Sequence, residues 1–338
     1  MALQIAALWQ RRNFFLLPLL PVAVLFRLLA ALRATLYKQG WLKRQRLPVP
    51  VVVVGNISVG GTGKTPLTLY LAQQLCLAGF RPGIISRGYG GNALNPQQVQ
   101  QDDPASLVGD EPLLLARRAG CPVFIGRLRH QAGLALLTQY PECNVILCDD
   151  GLQHYQLERD IEIAVIDGQR GLGNGWPLPA GSLREPPSRL SQVDAVIVNG
   201  ELKQTIPPHP SRFQMSLDAN QAYQLINPAN KQPLAAFSGQ NVAALAGIGH
   251  PPRFFFVLEQ AGMLVDPHPF PDHHAYTADE LTAIKAGTLL VTEKDAVKLA
   301  PFNDARIWVV PVSARLAPDL AAWLVDRLES SAKPTAAR

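Results

Sequence analysis

The sequence predicts an α/β protein: a P-loop, doubly wound sheet domain, a second and smaller α/β domain, and an N-terminal membrane-associated helix. Three observations carry that expectation. A β-branched run, Val51-Val52-Val53-Val54, feeds a glycine-rich turn and then a helical pattern. Apolar runs of strand length alternate with helix-patterned stretches from there to about Gly200, the signature of a sheet covered on both faces. An apolar stretch near the N-terminus lies among cations with no acidic residue nearby. The chain has 338 residues, more than one core of ordinary size, so several units are expected. Their bounds are a helix over 1–35, the P-loop domain over 36–211, the smaller domain over 212–329, and a flexible tail over 330–338.

From Phe14 to Phe26 there are 13 uninterrupted apolar residues. A spanning helix needs about 20, and Pro18, Pro21 and Arg27 argue further against a span. The cations nearby suit a helix lying shallowly in an anionic leaflet; a helix buried against the body is the other reading. The formal net charge is +5, yet residues 1–50 hold eight basic residues and no acidic one, while the rest carries 23 basic against 26 acidic. The basicity therefore belongs to one end, which argues against a nucleic-acid partner. A hydrophobic fraction of 48% with a mean hydropathy of +0.07 excludes both a disordered chain and a multi-span membrane protein. Cys76, Cys121, Cys143 and Cys148 show no zinc or disulfide spacing.

The turn after Val54 reads Gly55-Asn56-Ile57-Ser58-Val59-Gly60-Gly61-Thr62-Gly63-Lys64-Thr65. Backbone N–H groups of such a loop converge on phosphate oxygens, with Ser58, Gly60, Gly61, Thr62 and Gly63 in the cradle. Lys64 reaches the β and γ phosphates, and the Thr65 hydroxyl ligates Mg²⁺. The general pattern has glycine where Ser58 stands; Gly60 and Gly61 supply the flexibility here. Helical spacing from Pro66 to Cys76 completes strand, loop and helix in order. A second ligand source for the metal is expected at the end of a neighbouring strand, and Val145-Ile146-Leu147-Cys148-Asp149-Asp150 has that form, although paired aspartates also form turns. Further strands are read at Gly83–Ser86, Pro122–Ile125, Ile163–Ile166 and Ala195–Val198. In the second domain, Val242–Gly249 reads as a strand running into a tight turn, further strands are expected at Thr288–Thr292 and Ile307–Val312, and a helix over Arg253–Gly262.

Seven segments together resemble the tetraacyldisaccharide 4'-kinases of lipid A biosynthesis. They are Gly55-Asn56 with Gly60 to Pro66; Ser86-Arg87-Gly88-Tyr89-Gly90; Val108-Gly109-Asp110-Glu111-Pro112; Asp149-Asp150-Gly151-Leu152-Gln153-His154; Gly173-Asn174-Gly175 with Leu178 to Gly181 and Leu183-Arg184-Glu185-Pro186; Phe270-Pro271-Asp272-His273-His274; and Val291-Thr292-Glu293-Lys294-Asp295-Ala296. Ser58 agrees with the family form, whereas Ser182, Trp176-Pro177 and His250 depart from it. The resemblance implies transfer of the ATP γ-phosphoryl to the 4'-hydroxyl of an acylated glucosamine disaccharide 1-phosphate. It also implies action at the cytoplasmic face of a bacterial inner membrane. With it go the expectations of ATP and Mg²⁺ as cofactors, an anionic membrane surface as a partner, and a monomer. A membrane-docked P-loop switch or assembly factor is the competing class.

Residue roles follow. A carboxylate that accepts the hydroxyl proton aids such a transfer, and Asp110 is the candidate, although Gly109-Asp110-Glu111-Pro112 also reads as a helix N-cap. The resemblance pairs Asp110 with His273 from the second domain. On its own, the stretch 266–274 is open to three readings: orienter of the base, plain loop, or metal site. Arg184 is either a guanidinium clamp for the substrate phosphate or a solvated loop residue. Arg87, in a loop expected to be mobile, and Gln153 and His154 complete the expected substrate-binding set. Asn199 either reads the nucleotide base or forms a turn.

Overall fold

The computed structural model describes residues 8–316 and 319–332. The first seven residues of the N-terminal unit, and residues 333–338 of the tail expected over 330–338, lie outside the described residues. Of that tail, Ser330 to Ala332 are helical.

Eight strands follow one another in the first part of the chain: β1 (Val51–Gly55), β2 (Pro82–Ser86), β3 (Gln97–Gln98), β4 (Val123–Ile125), β5 (Val145–Asp149), β6 (Ile161–Asp167), β7 (Ala195–Asn199) and β8 (Arg212–Asp218). Six more come next: β9 (Gln221–Gln224), β10 (Asn227–Pro233), β11 (Asn241–Ala246), β12 (Leu264–Pro269), β13 (Leu289–Thr292) and β14 (Ile307–Val310). A last strand, β15 (Ser313–Leu316), returns to the first sheet. The larger sheet runs β15-β8-β7-β6-β1-β5-β2-β4-β3, and the smaller β10-β9-β14-β13-β11-β12.

β1 is central and parallel to both neighbours, with Val54 opposite Asp149 of β5 and Gly55 opposite Ala164 of β6. Its valines are buried on both faces, which is why the run is apolar without alternation. Val52 and Val54 pack with Leu67, Leu71 and Leu75, whereas Val51 and Val53 pack on the other face with Leu136. The helices that matter to the cleft are α1 (Leu20–Lys38), α2 (Lys64–Leu77), α3 (Asp110–Arg118), α4 (Arg129–Gln139), α5 (Pro251–Gln260), α6 (Glu293–Leu299) and α7 (Asp319–Ala332). In the smaller sheet, Ala244 and Ala246 pack on Phe254 and Leu258 of α5, and Ala243 and Leu245 on Ala296 and Leu299 of α6.

Sheet membership corrects the expected bounds of the smaller domain at both ends. β8 opens at Arg212 and pairs in parallel with β7, and β15 pairs antiparallel with β8, so both belong to the larger sheet. Leu320, Leu324 and Leu328 of α7 are buried in the same core as Leu67 and Leu71 of α2. The smaller layer is therefore an insertion between β8 and β15. A strand's own period tells which face it buries but not which strand it joins.

The N-terminal helix is longer than its 13-residue apolar run. A helical stretch from Phe14 to Lys38, 25 residues holding an 18-residue window with a mean hydropathy of 2.3, is long and apolar enough to cross a membrane. Pro21 sits in the first turn of α1, where the missing N–H is not needed, and Pro18 lies in the 3₁₀ turn before it. The prolines therefore do not interrupt it. Within α1 only Ala23 is buried, so the apolar side chains face outward. The segment ahead of it is tied to the body: the Trp9 indole donates to the Pro179 carbonyl at 3.1 Å, and the Asn174 N–H to the Trp9 carbonyl at 2.8 Å.

Candidate active site

The carboxyl ends of β1, β5 and β7 meet one turn and one loop of the smaller sheet, and a cleft of about 1790 Å³ runs between them. It extends from Phe26 and Arg33 of α1, past Gln153 and Arg184, to Lys64 and then to His273 and Lys294. Gly60 to Thr65, Arg87, Asp150 and His154 also line it. Ser58, Asp110 and Asp149 stand behind the wall, all three buried.

Gly60 (φ 101°) and Gly63 (φ 96°) hold left-handed backbone, and Gly63 caps α2. Ser58 is not among the residues with positive φ; it forms a bridge with Leu183, and the next N–H, of Val59, donates to the Ser182 carbonyl at 2.8 Å. Extended backbone explains why serine serves where the general pattern has glycine. The far side of the loop is braced by Asn199. Its amide donates to the Thr62 carbonyl at 2.9 Å and accepts from Arg253 of α5 at 2.9 Å. Asn199 thus braces the loop from the wall of the cleft, a role that depends on long-range packing that the sequence did not display. Arg170 donates to the Gly61 carbonyl and pairs with Asp167 at 3.4 Å, holding the loop from the other side.

Asp149 ends β5 fully buried. One oxygen accepts from the Thr68 hydroxyl at 3.0 Å, and the other has no hydrogen-bond partner. Burial, with Glu111 and Asp150 nearby, pushes its carboxyl up to about 7. Asp150 follows in left-handed backbone (φ 47°) and faces Lys64 at 3.6 Å and Arg184 at 3.4 Å. Burial works to raise its pKa, but those two cations outweigh it and hold the carboxyl below the usual range.

Asp110 and His273 meet across the two sheets. The imidazole Nδ1 lies 2.9 Å and 3.1 Å from the two Asp110 oxygens. Asp110 is only 4% exposed, and His273 forms the wall in front of it. Burial acts to raise the Asp110 carboxyl, but the His273 hydrogen bond, Lys294 and Lys298 together bring it below its ordinary value. The N-cap reading of Asp110 is corrected: Gly109 (φ 92°) is the N-cap and Asp110 the first helical residue, its carboxylate accepting only from the adjacent Glu111 N–H on its own helix. The other histidines of the 266–274 stretch pair separately, His268 with Asp266 and His274 with Glu280, each at 3.0 Å. Among the described residues no three His, Cys, Asp or Glu side chains group to hold a metal.

Gln153 is engaged within the wall: its amide donates to the Asn56 carbonyl at 2.9 Å and to Glu185 at 2.6 Å, and its carbonyl accepts from Arg184 at 3.3 Å. His154 is half-buried among cations; burial first, then Arg129 and Arg159, drives its pKa down to about 4, so the ring is neutral near pH 7. Arg184 stays partly exposed in the cleft, whereas Arg189 is buried against Glu162 and Glu185. In the loop after Arg87 the Gly91 N–H donates to the Gly88 carbonyl at 3.1 Å and the Asn92 N–H to the Leu107 carbonyl at 3.0 Å. Sequence reasoning missed Lys294, Glu111 and Lys298 as neighbours of the Asp110–His273 pair, although Lys294 stands in one of the seven segments quoted above. Its signal was present, but only the fold gives it a partner.

A family model described as tetraacyldisaccharide-1-P 4'-kinase matches residues 15–329. The chain belongs to that family. The tetraacyldisaccharide 4'-kinase of Chromobacterium violaceum is 52% identical over 330 residues, 95% of this chain and 97% of that one. That of Methylobacillus flagellatus is 49% identical over 320 residues, 95% and 94% of the two chains. A crystal structure of LpxK from Aquifex aeolicus in complex with ATP is 29% identical and matches with a TM-score of 0.79, covering 93% of this chain and all of that one. As a member of the 4'-kinase family the chain is an ATP-dependent phosphotransferase of lipid A biosynthesis, and the mixed α/β P-loop fold expected from sequence stands. The competing reading, a membrane-docked switch or assembly factor, does not.

Proposed function

We propose that the cleft carries out the 4'-phosphorylation with the following division of roles. The single observation that supports it is the Asp110–His273 pair, closed across two sheets at the end of a cleft that also holds Lys64. The pair takes the proton of the 4'-hydroxyl, with Asp110 as the acceptor and His273 aiming it. As the hydroxyl O–H bond breaks toward Asp110, the oxygen bonds to the γ phosphorus, and the bond from that phosphorus to the β–γ bridging oxygen breaks, leaving ADP. A positioned general base contributes about 10²- to 10⁴-fold.

Lys64, at the N-terminus of α2, holds the β and γ phosphates with the loop amides of Gly60 to Gly63. Thr65, Asp149 and Asp150 fit Mg²⁺: the Asp149 oxygen without a partner and the raised carboxyl are what a nearby divalent cation relieves. Bound there, the ion would offset charge on the transferring phosphoryl group. Arg184 and Arg87, with Gln153 and His154, face the substrate headgroup, Arg184 as the bidentate phosphate clamp. α1 lines the same cleft with Phe26, Leu29 and Arg33 while its other apolar side chains face outward. It therefore brings a monomeric enzyme to the anionic cytoplasmic face of the inner membrane, where an acylated substrate resides.

The test is full-length protein with Mg²⁺-ATP and an acylated disaccharide 1-phosphate in detergent micelles. The expected product gains one phosphate, at the 4' position, with stoichiometric ADP. ADP release that ignores the acceptor would overturn the proposal.

A further inference from the structure

Lys294 sits at the point where the two sheets meet. Its ammonium lies 2.9 Å from Glu111 of α3, 3.0 Å from Asp272, 3.4 Å from His273 Nε2 and 4.0 Å from an Asp110 oxygen. The side chain is mostly buried, and although burial opposes its charge, Glu111, Asp110 and Asp272 hold it ionised. The other groups facing His273 are the Asp272 carboxylate, 3.9 Å from Nε2 and so beyond hydrogen-bond reach of it, Lys298, 3.8 Å from Asp110, and Tyr89, whose ring meets the imidazole edge-on at 5.1 Å.

An ammonium group has three N–H donors and no lone pair. A lysine that meets Nε2 therefore requires the ring lone pair there, which leaves the neutral-ring proton on Nδ1. That is the nitrogen facing the Asp110 carboxylate. His273 itself has left-handed backbone (φ 62°), so its ring is presented by a strained turn and not by a regular element.

We propose that Lys294 is a positioning residue for the proton-accepting pair: by donating to His273 Nε2 it selects the neutral tautomer whose Nδ1–H is aimed at Asp110. The inference rests on the reading of Asp110 and His273 given above. Asp272 holds Lys294 from within the smaller layer and Glu111 of α3 from across the cleft, so docking of that layer on α3 fixes the ammonium in place and sets Asp110 before the selected Nδ1–H. The hydrogen bond to Asp110, with the Asp110 and Asp272 charges, raises the His273 pKa on balance, and burial and Lys294 act against that rise. A protonated ring would leave Asp110 a weaker base, so Lys294 also keeps the pair competent at lower pH.

The experiment is a ¹⁵N spectrum of the His273 ring in the full-length enzyme in micelles, joined to kcat–pH profiles of Lys294→Met, Lys294→Arg and His273→Ala. Wild-type enzyme should show the Nδ1-protonated neutral ring. Lys294→Met should mix the tautomers and move the acid limb of kcat upward by about one pH unit, with the KM for ATP little changed. Lys294→Arg, which keeps the charge, should leave the limb near its wild-type place. A wild-type ring protonated at Nε2 overturns the proposal, and this readout stands even if Lys294→Met does not fold. An unmoved limb in folded Lys294→Met overturns it too, provided His273→Ala still loses turnover. Full turnover in His273→Ala would instead remove the pair on which the proposal rests.

Discussion

Gly249 presses its backbone onto the amide of Gly61: a Cβ placed on Gly249 would stand 2.6 Å from the Gly61 nitrogen. Gly61 belongs to the glycine loop before α2 and Gly249 to the turn between β11 and α5, so two layers far apart in sequence touch at backbone level over the proposed phosphate site. Gly249 is not among the glycines with positive φ, and alanine there is objectionable only for its methyl group. Gly249→Ala should therefore part the two layers at this contact, lowering the Tm by a few degrees, and lower kcat/KM for ATP by roughly tenfold, or about 1.4 kcal/mol. Wild-type kinetics in that variant would show that the contact does not persist during turnover.

The Asp110–His273 hydrogen bond joins two bodies, so each residue should matter mainly in the presence of the other. Asp110→Ala is expected to lower kcat by about 10²-fold or more, His273→Ala similarly, and the double variant no further than about the worse single. Fully multiplicative losses in rapid-quench assays would separate their roles. Gly109 is the helix cap, so Asp110→Ala should not carry the roughly 1 kcal/mol loss of a missing cap.

Asp149 connects pH to stability with an uncommon sign. Its folded pKa, about 7, lies above the ordinary value of 3.8. The stabilising contribution of the protonated form is complete below the unfolded pKa and is lost as pH rises through about 7. Without nucleotide or metal, wild-type protein should lose thermal stability between about pH 4 and 7, and Asp149→Asn should be the more stable by about 2 °C or more at pH 7.5. Mg²⁺-ATP should reverse the ranking, raising the wild-type Tm and leaving Asp149→Asn unmoved. Calorimetric scans at several pH values, with and without Mg²⁺-ATP, decide it; identical pH profiles would refute the assignment.

Leu25 and Leu32 of α1 are each 56% exposed and lie outside the cleft lining. Leu25→Asp with Leu32→Asp should abolish flotation with anionic vesicles and reduce activity on vesicle-borne substrate by tenfold or more. Activity on substrate dispersed in micelles should fall much less, since Phe26, Leu29 and Arg33 remain. Unchanged flotation would place the membrane contact elsewhere.

By itself the sequence determined what depends on neighbours along the chain. β1, the glycine turn, α2, and the Asp149-Asp150 strand end are all legible because their periodicity and backbone demands are local. What only the tertiary structure decided are relations between distant residues. β15 and α7 return to the first sheet after the smaller one is complete, because Leu316, Leu320 and Leu324 find their apolar partners there and not in the adjoining layer. Asn199, an ordinary strand-end residue in sequence, becomes the brace of the phosphate loop through Thr62 and Arg253. Lys294, 184 positions from Asp110 along the chain, stands 4.0 Å from its carboxylate. Side-chain patterns report which face a segment buries; the packing of two sheets decides which buried charges must answer one another, since an ion inside a low-dielectric interface is stable only beside its partners.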